Sequence, residues 1–142
     1  MSQPQNATNS AQNLTRNQAI MNFFQYNKIQ ILSTTDGDQP VSRPVGSANL
    51  INDRIYYSMN KNKPMFSQLC QNPAVCICAC DANFRWIRIL ANAVFDEDLA
   101  VKEEFINRKA TRFERADDPN FATFYIDIKL AELHSAGVAT TL

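Results

Sequence analysis

Apolar positions recur along this chain in two rhythms, and the change from one to the other divides it into elements. Ile20, Phe23 and Phe24 recur at helical spacing and predict a short helix over residues 17–27. Residues 28–35 (KIQILSTT) alternate apolar and polar, as a half-buried strand does. Asp36-Gly37-Asp38 is a turn signal, so residues 39–50 read as the next strand of a hairpin. Asn52-Asp53 marks another turn before a third strand over 54–59. Pro64 stands near the first position of a helix over 64–71, where a missing N–H costs little. Residues 73–80, with the apolar run AVCICAC, predict a fourth strand, and residues 84–95 a long fifth. Residues 96–108 (DEDLAVKEEFINR) predict a helix with acids in its first turn. A polar loop then leads to a last strand over 121–133.

The order is helix, three strands, helix, two strands, helix, strand. Six strands joined largely by tight turns predict a mainly β fold, a six-stranded antiparallel barrel with short flanking helices, not a parallel βαβ sheet. With 142 residues the chain has room for one core. Residues 1–16, rich in Gln, Asn, Ser and Thr, lack periodicity and predict a flexible arm ahead of a single domain over 17–142.

Charge and composition narrow the function. Lys+Arg and Asp+Glu each total 14, so the electrostatic excess that drives nonspecific nucleic-acid binding is absent. A near-neutral surface favours association between copies. The opening residues lack the apolar core of a signal peptide, and no apolar run approaches a membrane span. The expectation is a cytoplasmic protein with reduced thiols and no membrane contact. Only 3 glycines are present and no G-x-G-x-x-G, so a Rossmann dinucleotide site has no support.

Three constellations carry candidate chemistry. The first is the polar knot Asn60-Lys61-Asn62-Lys63 before Pro64, where a strand hands over to a helix. A helix N-terminus presents unpaired N–H groups and partial positive charge, and adjacent lysines add full charges, which together suit a phosphate. The same residues also suit a solvated charged turn. The second is Ser42-Arg43-Pro44-Val45. Proline denies the ladder a donor, so this strand is an edge or is bent, with Arg43 beside a planar ligand or simply on the surface. The third is Trp86-Ile87-Arg88. Alternation puts Trp86 and Arg88 on one face and Arg85 and Ile87 on the other. An indole beside a guanidinium suits a phosphate or a stacked ring, and equally a core tryptophan with a rim arginine.

Other reactive residues form no set. Cys76, Cys78 and Cys80 share one strand face, with Cys70 on the preceding helix. Alternate residues on a flat strand splay their sulfurs about 7 Å apart, whereas zinc ligands converge, so no metal site is predicted. His134, the only histidine, joins no nucleophilic triad, and the acids at 96–98, 103–104 and 117–118 read as solvated. Catalytic residues are not identifiable. If the chain is an enzyme, a cofactor carries the chemistry.

The segments TTDGDQPVSRPV, DRIYYSMNKNKPMFSQLCQNPAVCICA, WIRILANAVFDED and FYIDIKL, in this order over residues 17–133, resemble the pyridoxamine 5′-phosphate oxidase-like flavoproteins, the FMN-binding split-barrel family. The strand–NKNKP–helix–NP–strand run followed by W-x-R-x-x-x-x-A-V-F carries most of the likeness. The chain is more similar to the small stand-alone members, nitroimidazole-resistance-type reductases among them, than to the vitamin B6 oxidase. That enzyme's C-terminal arginine and histidine pattern is not evident in FYIDIKLAELHSAGVATTL.

The resemblance implies a six-stranded split barrel, a homodimer and FMN in clefts between subunits. It implies that Lys63 is the main phosphate cation, with Asn60, Lys61 and Asn62 around it. Arg43, Pro44 and Val45 would line the flavin edge, and Ser58 and Met59 would lie near the ring or ribityl chain. Trp86 and Arg88 would reach the partner's cofactor. It implies an FMN-dependent oxidoreductase that passes electrons between a nicotinamide or protein donor and a small molecule. The alternatives are a deazaflavin F420-dependent reductase, a non-catalytic flavin-binding or sensing module, and a cofactor-free interaction protein; a haem site finds no ligand pattern.

Overall fold

The computed structural model describes residues 14–142. It contains helices α1 (Arg16–Tyr26), α2 (Pro64–Gln71) and α3 (Leu99–Asn107). Its strands are β1 (Gln30–Asp36), β2 (Gln39–Val45), β3 (Asn49–Ile51), β4 (Arg54–Asn60), β5 (Ala74–Cys80), β6 (Trp86–Phe95), β7 (Phe121–Ser135) and β8 (Val138–Thr141). The fold is mainly β and every strand pair is antiparallel, as the tight turns between strands predict. The arm expected over residues 1–16 lies outside the described residues as far as residue 13. Thr15 is already the N-cap of α1, in a capping box with Gln18.

Eight strands replace the expected six. The segment 39–50 is two strands, because the chain leaves β2 at Gly46, where a Cβ would come within 3.0 Å of Ile29 Cδ1. The extra C-terminal strand, β8, pairs with the end of β7 through a turn at Ala136-Gly137. Two boundaries also move. The predicted third helix starts at Leu99, not residue 96. Asp98 is its N-cap, accepting from the Ala100 N–H, so the acids precede the first turn. Phe84 belongs to a turn, at φ +62°, and β6 begins at Trp86.

The strands run in the order β2-β1-β5-β6-β7-β4-β3. The two ends of this path are consecutive in the chain and only residues 46–48 separate them, a reach of at most roughly 14 Å. The sheet must therefore curl until its ends meet, forming a barrel closed by the chain instead of by a ladder. Ser47 fastens this seam. Its Oγ accepts from the Ser58 N–H at 3.0 Å and donates to the Ser58 C=O at 3.2 Å.

Inside the barrel lie Leu32, Ile55, Tyr57, Ile77, Ile87, Ile89 and Phe124, with Ile20 and Phe24 of α1 closing it. A second, smaller core outside β4 and β7 packs Tyr56 and Phe121 against Val101 and Phe105 of α3. One irregularity has functional weight. Along β7, Phe124, Ile126 and Ile128 face inward, but the register against β6 shifts at Leu90/Ala91, so that Leu90 opposes Leu130 and Ala91 opposes Ile128. The additional residue, Lys129, reverses the parity. Ala131 and Leu133 then face the core, and Glu132 and His134 face outward.

Candidate functional site

The polar knot forms where β4 ends. Asn60 Oδ1 accepts from the Asn62 N–H at 2.9 Å and the Asn60 C=O accepts from the Lys63 N–H at 3.1 Å, folding the knot back on itself. Lys63 is the N-cap of α2 and its side chain makes no capping bond. Pro64, which has no N–H, follows it in the first turn. The two lysines differ. Lys61 Nζ lies 3.6 Å from Glu97 and 5.9 Å from the centre of the Phe66 ring, while Lys63 makes no ion pair among the described residues.

Arg43 reaches the same helix, α2. β2 is an edge strand, which accommodates Pro44, and its register with β1 is unbroken, so no bulge accompanies the proline. Val41, Arg43 and Val45 face inward while Ser42 and Pro44 are exposed. The Arg43 guanidinium donates to Gln68 Oε1 of α2 at 2.7 Å and to the Leu32 C=O at 3.2 Å. Thr34 Oγ1 donates to the same Gln68 oxygen at 2.6 Å. Gln68 is buried, a polar clasp between β1, β2 and α2 that sequence inspection missed. Burial lowers the Arg43 pKa, and no carboxylate pairs with it among the described residues. Arg43 therefore brings an uncompensated positive charge to the side of α2.

Ser58 and Met59 point to opposite sides of β4. Met59 belongs to the barrel core, and the Ser58 backbone is engaged by Ser47. Asn60 shares the Ser58 side.

Trp86 and Arg88 stand on the outer face of β6, flanked by Cys80 and Cys78 on β5 and by His134 and Glu132 on β7. The Trp86 and His134 rings are nearly parallel, 7° apart, with centroids separated by 3.8 Å. The Arg88 guanidinium lies 4.9 Å from the Trp86 ring centre and 3.7 Å from Glu132 Oε1. Trp86 is thus a half-buried ring on the outer sheet, and Ile87 takes the core position.

Within one chain this cluster does not meet Arg43. β1 and β5 separate β2 from β6, about 14 Å at the usual strand spacing, and the two arginines occupy opposite faces. The intervening outer face is apolar: Ile31 is 45% and Leu90 39% exposed, with Cys76 and Cys78 half-buried between them. All four cysteines are free thiols, and burial, with Cys76 beside it, raises the Cys78 pKa. No group of three metal-ligating side chains converges among the described residues. No helix among them is long and apolar enough to cross a membrane.

A curled antiparallel sheet split at one seam, with cationic residues at the strand-to-helix turn, defines a split-barrel protein. The sequence pattern of the pyridoxamine 5′-phosphate oxidase family matches residues 7–135, and the chain belongs to that family. No curated protein matches it. Among solved structures it is similar to a NimC/NimA family protein from Clostridium acetobutylicum, 28% identical over 87% of this chain and 89% of the other, with a TM-score of 0.81. General Stress Protein 26 from Bacillus anthracis shares the fold at 20% identity, covering 89% and 98% of the two chains, with a TM-score of 0.72. An F420 reductase shares it at 13% identity over 76% and 94%, with a TM-score of 0.56.

Proposed function

We propose that this protein is an FMN-dependent oxidoreductase that works as a homodimer on a small molecule. The observation that carries the reading is Arg43, a half-buried guanidinium without a carboxylate partner among the described residues, clasped to the helix whose N-cap is Lys63, which makes no ion pair among them. This donor set fits a planar ligand that carries a phosphate: Lys63 and the helix N-terminus suit the dianionic group, and Arg43, further along α2, suits the rest of the molecule. FMN supplies the redox chemistry when bound. Asn62 and Lys63 would hold its phosphate, Arg43 and Val45 would lie along its edge, and Trp86 and Arg88 would arrive from the second subunit. Opposite-face placement of the two arginines supports a dimeric site, as does the apolar outer sheet around Ile31 and Leu90. A nicotinamide is the electron donor in this reading.

The test is a visible spectrum of the purified protein after FMN addition and desalting. Retained flavin absorbance is the expected result, with Lys63→Ala and Arg43→Gln each weakening FMN at least tenfold, the worth of one charge-assisted contact. A colourless wild-type protein overturns the assignment. The fold shared with an F420 reductase makes a deazaflavin the second cofactor to titrate, and tighter F420 than FMN binding would replace the first reading.

A further inference from the structure

The Arg88–Glu132–His134–Trp86 cluster holds a relationship that neither the family nor the phosphate site explains. Glu132 Oε1 stands 3.7 Å from Arg88 Nη1 and 3.7 Å from His134 Nε2. One carboxylate oxygen is therefore shared by two cationic or potentially cationic groups and lies too far from either for a hydrogen bond. His134 Nε2 is itself buried and has no hydrogen-bond partner among the described residues, although its ring stacks flat on Trp86. A buried ring nitrogen left unpaired beside a carboxylate is an arrangement open to protonation.

The surroundings offer few competing charges. From β6, Trp86 and Arg88 face His134; from β7, Glu132; across from it on β8 stands Ala139, with no titratable side chain along that strand. Beyond Trp86 and Arg88, β5 presents the thiols of Cys80 and Cys78. Arg85 is on the other side and is bonded to Asp81. Glu132 is thus the one carboxylate in the cluster, and Arg88 and His134 compete for it.

We infer that His134 is a positioning residue for Trp86 and Arg88. Its imidazole fixes the plane of the indole. Its protonation draws Glu132 toward Nε2 and frees the Arg88 guanidinium for an anionic group of the ligand. The inference rests on the FMN reading for the identity of that ligand, but the competition for Glu132 is a property of the chain alone.

Trp86 is the only tryptophan and His134 the only histidine, so tryptophan emission reports this stack without interference. The experiment is a fluorescence titration of the cofactor-free protein between about pH 5 and pH 8, the range in which a histidine changes charge. Emission of the wild type should fall in one step on acidification, as an imidazolium forms against the indole. His134→Phe, which keeps an aromatic ring there, and His134→Gln should both lack the step. Glu132→Gln should move the step to lower pH by removing the carboxylate, and Arg88→Gln should move it to higher pH by removing the competitor. A flat wild-type titration, a step that survives both His134 substitutions, or a step unmoved by both Glu132→Gln and Arg88→Gln overturns the inference.

FMN affinity near both ends of the range supplies the second arm. The ratio of acid to neutral affinity should be roughly tenfold larger in the wild type than in His134→Phe. The comparison between the two proteins cancels the titration of FMN itself. Equal ratios overturn the release of Arg88. Failure of the wild type to bind FMN overturns the proposed function instead, and the fluorescence titration still decides the role of His134.

Discussion

Arg43 and Gln68 are joined by a 2.7 Å hydrogen bond that ties the edge strand β2 to helix α2. The same carboxamide oxygen also serves Thr34, which is 2% exposed, so its removal strands a buried hydroxyl as well as the guanidinium. Gln68→Leu should destabilise the protein by about 2–4 kcal/mol, measured by denaturant unfolding. Gln68→Glu makes a sharper comparison. It keeps both acceptor contacts but neutralises Arg43, so FMN affinity should fall at least tenfold while much of the stability returns.

At the seam, Ser47→Ala removes both partners of the Ser58 backbone. The expected loss is about 1 kcal/mol, because the groups lie at a half-exposed edge where water substitutes. Hydrogen exchange at the Ser58 amide should accelerate while exchange in the β5–β6 ladder stays unchanged.

The Glu97 carboxylate pairs with Lys102, which is nearly inaccessible, and more distantly with Lys61. Its pKa is lowered chiefly by the hydrogen bond from Lys102. A depressed carboxylate contributes stability above its unfolded value, near 4.3, and that contribution is lost as pH falls through the folded value. Glu97→Gln should therefore cost about 1 kcal/mol at neutral pH, a modest figure because Glu97 itself is largely in water, and nothing in strong acid. Unfolding curves at neutral and acid pH measure the difference.

Leu90 protrudes from the outer sheet beside the Arg88 cluster. If that face joins two subunits, Leu90→Asp places a charge in the contact. Sedimentation should then show the dimer giving way to monomer, together with loss of FMN, since neither half of the site is complete alone.

Much of this architecture is legible in the sequence because it is local. The alternation in 28–35 and 54–59, the Asp36-Gly37 and Asn52-Asp53 turns, and Pro64 at the start of α2 each act over a few residues. Asn52 and Asp53 both adopt positive φ, the conformation that a tight hairpin requires of them. That Trp86 and Arg88 share one face also follows from alternation, although which face points outward does not. His134 does not. Continuing the rhythm of Phe124, Ile126 and Ile128 would place it in the core, and only the bulge at Lys129 turns it outward to Trp86. Gln68 was equally hidden, since its partners Thr34 and Arg43 are distant in sequence and meet it only when α2 packs on β1 and β2. The break within 39–50 is hidden because the close approach that Gly46 permits is to Ile29, which lies in another segment.

β7 has a consequence for how the chain assembles. The β1–β2, β3–β4 and β5–β6 pairs are hairpins that form from neighbouring residues, but β7 alone lies between β6 and β4. It pairs with β4 through Phe121–Tyr125 and with β6 from Phe124 to His134. Until it inserts, the two halves of the sheet have no common edge. During synthesis the earlier strands therefore wait with open edges while residues 121–135 leave the ribosome, and closure of the barrel follows as one late, long-range event. The interval before that insertion is when the nascent chain is most exposed to edge-to-edge pairing with its neighbours.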